Sequence, residues 1–94
     1  MARSLSPFTR ITLLMSELKS NKIEDLANVK KCDLLHHTAK LHEEIEDSAQ
    51  KASAVEIGEQ GKSLFSSIES GDLAKAETDR ETLLSSCKKL KDLL

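Results

Sequence analysis

Between residues 32 and 42 the sequence gathers its only cluster of side chains that could bind a metal ion. The cluster consists of Cys32, Asp33, His36, His37 and His42. Cys32 and His36 are four positions apart, so on a helix they lie one turn apart on one face and could both bind a zinc ion. Glu43 is three turns further along, too far to complete the site. We therefore predict no metal here, and interpret these side chains as exposed polar groups and as histidines at the edges of the apolar helix face.

The same region offers a second kind of chemistry. His37-Thr38-Ala39-Lys40 resembles the phosphorylated stretch of histidine-phosphotransfer domains, in which a His is followed three positions later by a Lys and then by a Gly. Leu41 stands here at the position of that Gly. The resemblance implies a helical bundle in which His37 carries the phosphoryl group. A small signalling module of this type, or a weak metal-binding helical protein using residues 36–42, is the alternative function.

Other catalytic and binding functions find little support in the sequence. Gly61-Lys62-Ser63 matches the end of a P-loop, but Glu56 stands where that motif needs its first Gly, and no strand precedes it. A nucleophilic Cys32 would need a pocket and an oxyanion site, which a narrow helical hairpin does not offer. The net charge is −2 and the aromatic residues are two Phe, a composition unsuited to nucleic acids. We predict that the protein is not an enzyme and takes no cofactor, small-molecule substrate or nucleic acid.

The elements that must position these side chains are helices, and the C-terminal one gives the clearest pattern. A stripe of mostly apolar residues recurs there at alternating spacings of three and four positions. This spacing places the residues on one side of a helix over residues 73–94. In Ser70-Gly71-Asp72, Gly71 suits the end of one helix and Asp72 the cap of the next. The stripe consists of Leu73, Ala76, Arg80, Leu83, Cys87, Leu90 and Leu94.

Three further helices are expected before that turn. Ser6-Pro7 is a typical helix start and predicts a helix over 7–19, which either docks on the rest or stays free as a partner-binding element. No Gly or Pro interrupts residues 23–55, so a helix over 23–56 is expected. About 30 residues of helix already span about 45 Å, a length that favours a coiled coil. Gly58 and Gly61 predict a kink or short loop before a helix over 57–69, and whether 23–69 is one bent helix or two stays open. Gly61 also offers a point where two helices could approach closely.

Arg80 is unusual because it lies within the apolar stripe of the last helix. Its aliphatic stem could run along this stripe, which forms the seam with a neighbouring helix, while the guanidinium reaches water. Alternatively, Arg80 could pair with an acidic side chain across a helix interface, which would fix register or partner choice more than it would add stability.

The sequence thus predicts an all-α domain over residues 1–94, either an elongated helical hairpin or a small bundle of three or four helices with coiled-coil-like packing. A thin two-helix hairpin would gain little net stability from the apolar surface that it buries, so a third helix or a second chain is needed. We therefore expect a non-catalytic interaction module: an adaptor, small chaperone or assembly subunit. Its partner would be another protein or a second copy in a homo-oligomer. Contacts are expected at Leu73, Arg80, Leu83, Cys87, Leu90 and Leu94, with Leu34, Leu41 and Ile45 on the facing helix.

The expected location is the cytoplasm. No apolar run of 18 residues suggests a membrane span, and residues 1–5 lack the apolar stretch of a secretory signal. Two cysteines are too few for a disulfide framework, and Cys87 in the apolar stripe is expected to be a buried thiol.

Overall fold

Helices make up all the regular secondary structure in the described residues of the computed structural model, which are 6–28, 30 and 34–94. This confirms the all-α prediction. A 3₁₀ turn at Ile23–Ala27 separates the first two helices. The four α-helices are α1 (Pro7–Ser20), α2 (Leu34–Glu44), α3 (Ser48–Glu69) and α4 (Leu73–Leu93).

Two helix starts are confirmed in atomic detail. The side chain of Ser6 accepts a hydrogen bond from the Thr9 N–H at 3.2 Å, and Pro7 occupies the first turn of α1. Asp72 caps α4 by accepting from the Lys75 N–H at 3.1 Å. Gly71 just before it has a φ of 82°, a conformation that glycine adopts without the steric cost of a Cβ.

The prediction of one long helix over 23–56 is wrong. Ile23–Ala27 is a 3₁₀ turn, α2 ends at Glu44, and Asp47 starts α3 by accepting a hydrogen bond from the Gln50 N–H at 3.0 Å. Ile45 remains buried although it lies in the break, so the apolar pattern continues where the helix does not. The expected interruption near Gly58 is also wrong, because α3 is continuous through both of its glycines.

The helices pack as a ring around a shared core. α3 packs along both α4 and α2, and α1 packs against α2 and α4 on the other side. The bundle alternative is therefore confirmed, and the elongated hairpin is not formed. The Cα radius of gyration is 12.5 Å, close to the value of about 12 Å expected for a compact chain of this length.

Among the described residues, the buried hydrophobic side chains are aliphatic apart from the Cys87 thiol. α1 contributes Ile11, Leu14 and Leu18, all fully buried, so the first helix is docked on the bundle and not free. None of the helices in the described ranges has an apolar segment long enough to cross a membrane. The other buried hydrophobic residues are Ile23, Leu26, Leu41, Ile45, Ala54, Ile57, Leu64, Ala76, Leu83, Cys87 and Leu90.

Candidate functional site

The predicted seam of the last helix lies mostly inside the bundle. Leu83, Cys87 and Leu90 are fully buried in the core that the chain forms with itself. The helix that packs most extensively on α4 is α3, and Leu41 and Ile45, predicted on the facing helix, are buried in the same core. These side chains are therefore already covered by the chain itself.

Both ends of the predicted seam are exposed. Leu73 is 38% and Leu94 40% exposed, so the bundle covers them only in part, and their role as contacts stays a prediction. Leu73 is the first residue of α4 and Leu94 lies just beyond its end, where the neighbouring helices offer less cover. The side chain of Leu34, also predicted as a contact, lies outside the described residues.

Arg80 pairs within its own helix. Its Nη2 atom donates to Glu77 Oε2 at 2.6 Å, one turn earlier on α4, and among the described residues Arg80 does not form the alternative ion pair across a helix interface. The side chain is partly covered while Glu77 is half exposed. This geometry agrees with the alternative in which the stem of Arg80 follows the seam and its charge reaches the surface.

Burial also determines the chemistry of Cys87. Loss of water around the thiol raises the pKa of Cys87 to about 12, because a thiolate is poorly solvated in an apolar core. Cys87 is a free cysteine. At neutral pH it is an inert apolar side chain, as the sequence predicts.

His37 takes part in a polar cluster between α1 and α2. The buried Arg10 donates from Nη2 to Glu44 Oε1 at 2.9 Å, and its Nη1 atom lies 3.1 Å from His37 Nδ1. A guanidinium can only donate, so Nδ1 is the acceptor in this contact. The cluster joins the two helices through polar contacts at the edge of the core. Phosphoryl transfer through His37 stays a prediction.

The metal alternative gains no support from the described part of the chain. There, no three His, Cys, Asp or Glu side chains are close enough to hold a metal ion; Cys32 and Asp33 lie outside the described residues. Glu43 instead accepts a hydrogen bond from Lys40 Nζ at 3.0 Å. That hydrogen bond and the charge of Lys40 hold the pKa of Glu43 below its usual value.

A surface groove on α1 is the feature that the sequence analysis missed. It is a shallow, open surface along a single helix, and its lining residues repeat on the outward face of α1, opposite Ile11, Leu14 and Leu18. Leu13 signals this second face, because it directly precedes Leu14 and two successive helical residues point about 100° apart. The groove is lined by Phe8, Thr9, Thr12, Leu13 and Ser16.

The groove is apolar despite its three hydroxyl residues. Phe8 is 50% and Leu13 37% exposed. Thr12 Oγ1 donates to the Phe8 carbonyl at 2.9 Å, and Ser6 Oγ donates to Thr9 Oγ1 at 2.9 Å. Because the hydroxyls of Thr9 and Thr12 bond within the helix and its cap, displacing water from them costs little in lost hydrogen bonds.

Cations lie at both ends of this groove. Lys91 of α4 places its Nζ atom 5.5 Å from the centre of the Phe8 ring, a cation–π contact worth about 0.5–1 kcal/mol at an exposed site. Lys19 is exposed and follows Ser16 by three positions, on the same face of α1. Of the other charged residues of α1, Arg10 is buried against α2, and Glu17 lies at the edge of this face, four positions after Leu13, with one carboxylate oxygen fully buried.

The α1 groove combines exposed aromatic and aliphatic surface with no titratable group among its lining residues. The polar clusters described above are committed to contacts within or between helices. Among the described residues, the groove is thus an exposed apolar surface that these polar contacts do not occupy. The chain finds no match among protein-family models, curated proteins or solved structures.

Proposed function

We propose that this chain is a non-catalytic interaction module, an adaptor, small chaperone or assembly subunit, that docks another protein on the α1 groove. The observation that carries the proposal is an apolar groove on a helix whose opposite face is already buried in the core. Folding the bundle does not require Phe8 and Leu13 to be this exposed. Exposed apolar side chains that cluster, rather than lie singly, are typical of interaction sites.

The lining of the groove supports binding over catalysis. Thr, Ser, Phe and Leu side chains supply neither a general acid nor a general base near neutral pH. The groove follows a single helix, which suits a partner helix laid along it with side chains at helical spacing. We place this activity in the cytoplasm, because an unpaired buried thiol such as Cys87 is typical of proteins from reducing compartments.

The matched pair Leu13→Asp and Leu35→Asp tests this proposal. Both leucines are 37% exposed, but only Leu13 lines the groove. A photoreactive residue at position 12 in the full chain would capture the partner in the source cells, and the purified partner would then be titrated calorimetrically against each variant. Losing the burial of one leucine costs about 1.5–3 kcal/mol, so Leu13→Asp should weaken binding by about tenfold or more.

The control variant decides what a loss of binding means. Leu35→Asp introduces the same charge at equal exposure, and we expect the affinity to stay at the wild-type value. Equal losses in both variants, or an unchanged affinity in Leu13→Asp, would contradict docking on the α1 groove. Far-ultraviolet circular dichroism of both variants checks that the helices remain folded.

A further inference from the structure

We infer that the α1 groove receives one amphipathic helix with acidic side chains at both ends; this inference rests on the proposed function. The groove is uncharged along its length, and the side chains at its two ends are Lys91, against the Phe8 ring, and Lys19. A helix with an apolar face fits the middle of such a surface, and carboxylates at its ends fit the two cations.

The dimensions favour a single short helix. Phe8 and Lys19 are eleven positions apart, so the ends of the groove are separated by about 16 Å, or about three helical turns. A face of this length and about 10 Å width buries a few hundred Å² at most, well below the roughly 800 Å² per partner of a stable complex. The contact is therefore a weak and reversible one, made by one helix.

The same charges disfavour a second copy of this chain as the occupant. If two α1 helices packed antiparallel about a two-fold axis, Lys19 of each copy would approach Phe8 and Lys91 of the other. If they packed parallel, the two Lys19 side chains would meet. Either arrangement sets cation against cation, which opposes association.

Two synthetic peptides test the charge requirement on the full chain. Both are fluorescently labelled helices of about four turns with a leucine stripe at helical spacing; one carries Glu near both ends and the other Lys at the same positions. Fluorescence anisotropy measures the affinity of each. Exposed ion pairs contribute modestly, but exchanging attraction for repulsion at both ends should favour the Glu peptide by about tenfold at low salt.

Charge reversal in the protein supplies the matched comparison. The double variant Lys19→Glu, Lys91→Glu should invert the peptide preference. Lys51→Glu combined with Lys62→Glu changes the net charge equally at exposed positions of α3 and should retain the wild-type preference. Equal affinity for the two peptides, or a preference that survives the Lys19 and Lys91 reversal, would overturn the inference.

Two further outcomes separate this inference from the proposed function. If Leu13→Asp abolishes binding of both peptides while the end charges have no effect, docking on the groove stands and the acidic-helix inference fails. If Leu13→Asp leaves peptide binding unchanged, the groove itself is not the docking site. A concentration-dependent dimer in sedimentation equilibrium that Leu13→Asp dissociates would show that a second copy is the occupant, against the inference.

Discussion

At the scale of single residues, Gly61 determines how closely α2 and α3 can pack. A Cβ atom added to Gly61 would lie 2.6 Å from Thr38 Oγ1 and 2.8 Å from Thr38 Cγ2. Gly58, one turn earlier, offers a contrast because its Cβ would meet only the Thr38 carbonyl oxygen, at 3.6 Å. The first spacing is closer than non-bonded atoms allow, and the second is an ordinary contact. The expected close approach at Gly61 is thus confirmed.

Substituting alanine at the two glycines should change the free energy of unfolding in opposite directions. Gly61→Ala should lower the free energy of unfolding by about 1–3 kcal/mol, because overpacking against the buried Thr38 outweighs the gain in helix propensity. Gly58→Ala has room for its methyl group and should raise the free energy of unfolding by about 0.5–1 kcal/mol. Urea denaturation followed by circular dichroism measures both changes.

A double variant identifies the cause of the Gly61→Ala effect. Thr38→Ala removes the Oγ1 and Cγ2 atoms that the new methyl group would meet. Combined with Gly61→Ala, it should show a favourable coupling energy in the double-mutant cycle. Strictly additive effects, or a Gly61→Ala protein as stable as the wild type, would contradict packing control by this contact.

At the scale of elements, the sequence predicted helix ends better than helix continuity. The caps at Ser6 and Asp72 rely on a few neighbouring atoms, so local sequence is sufficient to identify them. The break at residues 45–47 preserves the apolar phase, and periodicity alone therefore does not detect it. Asp47 was the available signal, since Asp is a favoured N-cap residue. The two glycines of α3 stay helical because tight packing against α2 compensates for their low propensity.

The contact between α3 and α4 contains a polar network centred on Asp79. Asp79 Oδ2 accepts hydrogen bonds from Ser67 Oγ at 2.7 Å, Lys75 Nζ at 3.0 Å and Ser63 Oγ at 3.3 Å. Burial by itself raises the pKa of Asp79, but these hydrogen bonds and the charge of Lys75 outweigh it and hold the pKa below the model-peptide value of 3.8. The network therefore favours the ionised form in the folded protein.

Acid should weaken this network. Because the pKa of Asp79 is lower in the folded than in the unfolded chain, the stabilisation is fully present above the unfolded pKa and is lost as pH falls through the folded one. Asp79→Asn should be less stable than the wild type at neutral pH, and the difference should shrink below about pH 4. Urea denaturation at several pH values measures it.

Asp92 provides the comparison for Asp79, since it is an exposed carboxylate on the same helix. We expect Asp92→Asn to follow the wild-type stability at each pH more closely than Asp79→Asn does. A difference between Asp79→Asn and the wild type that is constant from neutral to acidic pH would exclude the ionised carboxylate as the source of the stabilisation.

At the scale of the whole molecule, the chain covers its own seam. The sequence indicated correctly that a two-helix hairpin would bury too little apolar surface, and that more helices or a second chain were needed. It did not indicate which, because an apolar stripe looks the same whether its cover comes from the same chain or another. Here α1 and α2 complete the ring around α3 and α4. The surface that we propose for a partner is therefore the α1 groove and not the seam.

Comparing Leu83 with Leu73 tests whether the apolar stripe of α4 packs inside the bundle or against a second chain. Leu83 is fully buried whereas Leu73 is 38% exposed, both in α4. Leu83→Asp removes a core leucine and buries a carboxylate without a counter-ion, a loss of about 3–5 kcal/mol or more against a total stability of about 5–10 kcal/mol for a domain of this size. Thermal unfolding by circular dichroism should therefore show a large drop in Tm for Leu83→Asp and little change for Leu73→Asp. If instead Leu83→Asp remained fully helical and lost only an oligomeric state in sedimentation equilibrium, the seam would serve a second chain and the closed bundle would be wrong.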